Sequence, residues 1–340
     1  MANLYGYNAT KRRAVSSAAG TAFGLHGRMA SCRTATPAAR RRFDKLPWLD
    51  YGGRFSPLKA AVCVALLLPM ASIAWRYGHN DLGARPLHQA IHEVGNWTLK
   101  LILLSLAVTP ARRILQWPRL ILVRRMVGVA AFAYAATHLL LYIADQAFDL
   151  VKVSEEIAVR FYLTIGFVAL LILAAMAATS TDGMMRRLGG LHWRRLHQLI
   201  YFGAFLAVIH FFLQTKANVN EPWIMAGLYG WLMGYRLLAL RYGSDSRTPL
   251  WAIGAFALVA GLATALGEAA YFSIKLGADP GLILATDLSL ETGVRPAWVA
   301  LMFPLAMTAL GALRARQVRR ARSQSSTTSR RSRPPLRLTA

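Results

Sequence analysis

Three histidines lie inside long apolar stretches. His138 stands in RRMVGVAAFAYAATHLLLY, and His197 and His210 stand in WRRLHQLIYFGAFLAVIHFF. A histidine within a membrane-crossing helix is costly unless it faces the protein interior and has a partner. Three of them on two such segments suggest one shared partner, and haem iron is the obvious one. His138 follows Arg124 by 14 residues, about 21 Å along a helix. His210 follows His197 by 13 residues, about 19–20 Å along. On helices entering from one face, His138 and His210 therefore reach similar depth, while Arg124 and His197 form a second tier at the entry face. Two facing imidazoles give six-coordinate iron suited to electron transfer. The guanidinium of Arg124 could pair with a propionate, a flavin phosphate or a quinone oxygen. Thirteen residues rotate a helix by about 140° from its starting face, so His197 is the third ligand candidate behind His138 and His210. His92 and Lys100, in a neighbouring apolar run, are candidates for contact with haem propionates; His92 could equally cap its helix, and Lys100 could equally pair with an acid. His79 and His192 read as surface groups and His26 as part of a tail.

These residues need apolar helices to position them, and the composition supplies them. The chain has 340 residues, 55% of them hydrophobic and 16% charged. Apolar runs at about 57–75, 89–110, 126–143, 157–178, 197–213, 223–240, 250–272 and 296–313 come near the roughly 20 residues that cross a bilayer. The fold class is all-α, a polytopic membrane helical bundle. Pro110 is expected to end the second run, because proline disfavours a helical residue before it. Two cysteines, Cys32 and Cys63, exclude a disulfide framework and an iron–sulfur cluster. No CxxCH pair is present for covalent haem attachment, so a haem here is b-type, held by axial ligands and packing.

The net charge of +25 does not imply nucleic-acid binding, because it is concentrated at the ends. Residues 1–47 hold nine Lys/Arg against Asp44, and residues 314–340 hold nine arginines and no acid. Both tails lack apolar periodicity and read as disordered. The loops PARRILQWPRLILVRR and STDGMMRRLGGLHWRRL are rich in arginine, whereas DQAFDLVKVSEE holds four acids and one lysine. By the bias of Lys/Arg toward the cytoplasm, both termini and the even-numbered loops are inside and the odd-numbered loops outside. An even number of spans is then required, and eight satisfies it.

The segments HEVGNWTLKLILLSLAVTPARR, RRMVGVAAFAYAATH, RFYLTIGF, TSTDGMMRRLGGLHWRRLHQLIY and AVIHFF, in this order, resemble the haem-binding membrane subunit of the bacterial periplasmic methionine-sulfoxide reductase system. That family belongs to the ferric-reductase-like transmembrane group. The resemblance covers about residues 57–241. It implies a six-helix ferric-reductase-like core with two additional transmembrane helices at 242–313, between a basic tail at 1–56 and another at 314–340. It implies haem b, an associated FMN, and a place in the bacterial inner membrane. Electrons would come from the quinone pool or from a cytosolic flavin reductase and pass to a periplasmic molybdopterin-dependent catalytic subunit that repairs oxidised methionines. The family's histidines fall on His138, His197 and His210, with His92 also matching. Phe161 departs from the pattern, standing where the family usually has proline. No GxGxxG follows a strand, so the chain cannot draw on NADPH by itself. A stand-alone ferric reductase with the same haem, or a proton-coupled transporter without one, are the rival readings.

Overall fold

Apolar runs bounded by prolines and small polar caps fold into helices, beginning with α1 (Pro57–Gly78). Its first turn has proline where the N–H is not needed, and the Ser56 hydroxyl accepts from the Lys59 N–H at 3.5 Å. There follow α2 (Pro86–Ile114), a 3₁₀ turn (Pro118–Leu120), α3 (Ile121–Asp145), a short α4 (Leu150–Val159), α5 (Phe161–Ala178), α6 (Asp182–Gln214), α7 (Asn220–Arg241), α8 (Leu250–Leu276), a short α9 (Pro280–Leu288) and α10 (Pro296–Arg331). The computed structural model describes residues 48, 49, 54–215, 218–243, 247–289 and 293–331. Among them the only β pairing is an isolated bridge between Leu49 and Phe55. The expectation for 1–47 lies outside the described residues.

Among the described residues, seven helices are long and apolar enough to cross a membrane. The remaining expected span, the sixth (223–240), is α7, which has the length, 22 residues, but carries Glu221, Arg236 and Arg241 and is not among the seven. Two of these charges find partners in the bundle. Glu221 accepts from Asn96 and pairs with Lys100 at 3.5 Å. Arg236 donates to the Leu106 carbonyl at 3.2 Å and lies over the Tyr201 ring at 4.7 Å. The most enclosed helix is α2, which packs against α1, α3, α6, α7 and α10. Its residues Val94, Leu99, Ile102, Leu106 and Ile114 are among the most buried in the chain.

Four sequence expectations are corrected. Pro110 does not end its helix, which continues to Ile114. Proline removes the N–H that would bond the carbonyl four residues back, here Leu106, and Arg236 supplies that carbonyl with another donor. The expected span 157–178 is two helices, because Arg160 is extended (φ −90°, ψ 103°) and α5 starts at Phe161. The loop expected before 197 is helical from Asp182, broken only at Gly189, whose φ of 72° and ψ of 153° suit glycine. Finally, α10 runs to Arg331, so residues 314–331 are helical where a disordered tail was expected; Ala, Arg and Gln there are good helix formers.

Two further polar devices hold the bundle. The Tyr134 hydroxyl donates to the Leu66 carbonyl at 2.7 Å and accepts from the Met70 N–H at 3.0 Å, inserting itself between these two groups of α1 beside Pro69. Arg295 binds Glu268 and Asp287, both fully buried, at 2.8 Å each. That triad ties α8 and α9 to the start of α10, and breaking a buried ion pair by removing one partner costs about 3–5 kcal/mol.

Candidate functional site

The facing helices α2, α3, α5 and α6 enclose a cavity lined by His92, Gly95, Asn96, His138, Tyr142, Ile157, Tyr162, Gly166, His210 and Gln214, with Leu99, Ile102, Leu170 and Leu173 deeper in. Across it His138 on α3 and His210 on α6 face each other, ring centres 6.3 Å apart and planes at 84°. Two imidazoles holding one metal ion from opposite sides, each at about 2 Å, place their ring centres roughly 6 Å apart.

Each ring is positioned by the same local device. His138 Nδ1 donates to the Ile91 carbonyl at 2.8 Å, and a Cβ on Gly95, one turn beyond Ile91, would lie 2.9 Å from the ring. His210 Nδ1 donates to the Tyr162 carbonyl at 2.8 Å, and a Cβ on Gly166, one turn beyond Tyr162, would lie 2.8 Å from the ring. A carbonyl acceptor for Nδ1–H fixes the tautomer and leaves Nε2 as the free donor atom. Glycine lets the opposing helix come close enough to hold the ring. The pair could therefore hold one iron ion between them. The apolar wall around it suits a macrocycle, so the residues present fit a b-type haem.

The other predicted residues fall in three places. His92 lines the same cavity, its ring 4.6 Å from that of His88. Lys100 does not reach the cavity; it pairs with Glu221 and lies 5.3 Å from the Trp97 ring centre. His197 is not brought to His138 and His210. Its ring stacks on Trp193 at 3.9 Å, its Nδ1 donates to the Trp193 carbonyl at 3.0 Å, and its Nε2 is 3.4 Å from the Ser180 hydroxyl. Arg124 lies within electrostatic reach of His197, Tyr201, Arg112 and Arg236 and has no ion pair among the described residues. His197 and Arg124 thus form a separate tier, its positive charge on the Arg124 guanidinium.

Sequence reasoning missed the two carbonyls, the two glycines, and Asn96, whose Oδ1 is buried without a partner. A glycine inside an otherwise apolar helical run is the signal that could have found Gly95 and Gly166, because it marks a close approach. Tyr142 and Tyr162 at the cavity wall were also missed. Their hydroxyls meet Glu156 and Arg160 respectively, a network that no local pattern shows.

The family described as ferric reductase like transmembrane component matches residues 94–208, which contain His138, His197, Gly95 and Gly166. The chain is 45% identical over 193 residues to the protein-methionine-sulfoxide reductase heme-binding subunit MsrQ of Rhodospirillum rubrum, covering 56% of this chain and 93% of that protein. It is 39% identical over 217 residues to the protein of the same name from Caulobacter vibrioides, covering 63% of this chain and all of the relative. With the one from Xanthomonas campestris pv. campestris it shares 42% identity over 186 residues, 53% of this chain and 85% of the relative. No solved structure matches.

Proposed function

The chain belongs to the family of heme-binding subunits of protein-methionine-sulfoxide reductase, and from that membership we propose that it holds a b-type haem between His138 and His210 and carries electrons across the membrane to a methionine-sulfoxide reductase. The observation that carries this reading is the opposed pair of imidazoles, each with Nδ1 donated to a backbone carbonyl and Nε2 left free. A haem held by His138 and His210 would supply one-electron transfer. His138 and His210 orient the group, and Gly95 and Gly166 hold the two rings. His92 and Gln214 are polar wall residues that a propionate would meet. Lys100 has Glu221 as its partner and takes no part.

The tier of Arg124, Arg112 and Arg236, with His197 beside it, is the entry side in this reading. Its positive charge suits an anionic donor, either reduced FMN delivered by a cytosolic flavin reductase or a quinol headgroup. The acceptor is a periplasmic molybdopterin-dependent catalytic subunit, which performs the sulfoxide chemistry. The membrane is the bacterial inner membrane, with both termini and the arginine-rich loops in the cytoplasm.

The test is a reduced-minus-oxidised absorbance spectrum of the detergent-purified chain, with haem quantified per chain. The wild type is expected to show a low-spin b-type signal. His138→Ala and His210→Ala should each abolish that signal, while His197→Ala should keep it. Wild-type haem content and an unchanged spectrum in both His138→Ala and His210→Ala would overturn the ligand assignment. A folded wild type without haem would overturn the reading as a whole.

A further inference from the structure

His138 and His210 share one local device but differ in what stands behind it. The acceptor for His138, Ile91, is itself buried on α2 between Ala90 and Val94, which are also buried, so core packing fixes its carbonyl. The acceptor for His210, Tyr162, is the second residue of α5, and its neighbour Phe161 is 72% exposed. This helix start has no side-chain cap from Arg160. What secures it is the guanidinium of the same residue. Arg160 Nη1 donates to the Tyr162 hydroxyl at 3.2 Å, and Nη2 donates to Glu156 Oε1 at 3.2 Å. The other Glu156 oxygen accepts from the Tyr142 hydroxyl, one turn beyond His138 on α3. A second tie runs beside it, from the Thr164 hydroxyl to the Ile157 carbonyl at 2.6 Å. The short helix α4 is thereby fastened to the first turn of α5 and to α3, with Ile157 on the cavity wall.

We propose that Glu156 and Arg160 are positioning residues for His210: their pair fixes the first turn of α5, and with it the carbonyl that orients the His210 imidazole. His138 is the fixed ligand and His210 the adjustable one. This inference rests on the haem reading above. Arg160 is 51% exposed and Glu156 19%, so with its arginine side open to solvent the pair adds little to stability; its role is geometric. The strength of a ligating histidine's Nδ1–H bond to its carbonyl sets both ring orientation and ligand basicity. A looser bond makes His210 a poorer donor, which favours the reduced iron and raises the midpoint potential.

The experiment is potentiometric titration of the full-length, haem-loaded protein, with electron paramagnetic resonance of its oxidised form. The variants are Glu156→Gln and Arg160→Gln, with Arg125→Gln as the control. Arg125 makes an exposed ion pair with Asp182, on α3 and α6 away from the cavity. Glu156→Gln keeps the shape and a hydrogen-bonding group at Tyr142, so it removes the charge without removing the helix. Both strut variants are expected to retain the haem content of the wild type, to show a raised midpoint potential, and to shift the low-spin resonance. Arg160→Lys, which keeps the charge but not the fork, should recover part of the shift. Arg125→Gln should match the wild type. A wild-type potential and resonance in haem-replete Glu156→Gln would overturn the proposal while leaving the ligand pair intact. A wild type without haem would overturn the reading beneath it instead.

Discussion

Gly95 and Gly166 turn two apolar helices into holders for imidazoles. Each stands where a side chain would strike the ring it faces, at 2.9 Å for His138 and 2.8 Å for His210. Such contacts lie below van der Waals distance, so a methyl group must push the ring off its carbonyl acceptor. Gly95→Ala and Gly166→Ala are therefore expected to lower haem per chain several-fold while the protein still folds. Gly78→Ala, where a Cβ meets nothing within 4 Å, should leave it unchanged. Haem content by pyridine-haemochrome assay, normalised to protein, checks all three; wild-type loading in Gly95→Ala would show that the ring is free to move. The histidines themselves were legible, because an imidazole deep in an apolar run is expensive and its depth follows from residue count. The glycines were not, because what they make room for lies on another helix. The same is true of Lys100, whose partner Glu221 is 121 residues away in the chain.

At the scale of elements, local rules read the helices well and their ends less well. Proline reads as a stop at Pro110 because the sequence shows the missing N–H and the clash, but not the donor that relieves them. Arg236, on α7, reaches the carbonyl of Leu106 at 3.2 Å and lets α2 continue to Ile114. Phe161 shows the converse. With Phe161 in place of the proline of the resembled pattern, Arg160 still takes extended backbone and α5 begins at Phe161. The pairing of Arg236 with Pro110 makes a double-mutant prediction. Arg236→Met strands a buried carbonyl and is expected to cost about 1–3 kcal/mol, read as a fall in the thermal midpoint in detergent. Pro110→Ala restores an N–H four residues after Leu106, so in the double variant the loss from Arg236→Met should shrink. Strict additivity would mean that the guanidinium supports the helix in some other way.

Over the whole molecule, the direction of electron flow depends on which face is outside, and charge is the only sequence signal for it. The arginine-rich loops beside Arg125 and Arg186 and the basic end of α10, where Arg314, Arg316 and Arg320 are exposed, should share one side. The acidic stretch around α4, with Asp149 and Glu155 exposed, should lie on the other. Because α4 contributes Ile157 to the cavity wall, this orientation would set the His138–His210 pair toward the outer face, the side proposed for the acceptor, and the Arg124 tier toward the opposite face. The chain has only Cys32 and Cys63 to remove, so single-cysteine labelling can decide it. In a background with both replaced by serine, Ser154→Cys on α4 should react with a membrane-impermeant thiol reagent applied to spheroplasts. Met185→Cys, at a residue 42% exposed at the start of α6, should react only after permeabilisation. The reverse pattern would put the histidine pair at the cytoplasmic face, where the nearest redox partner would be the donor rather than the acceptor.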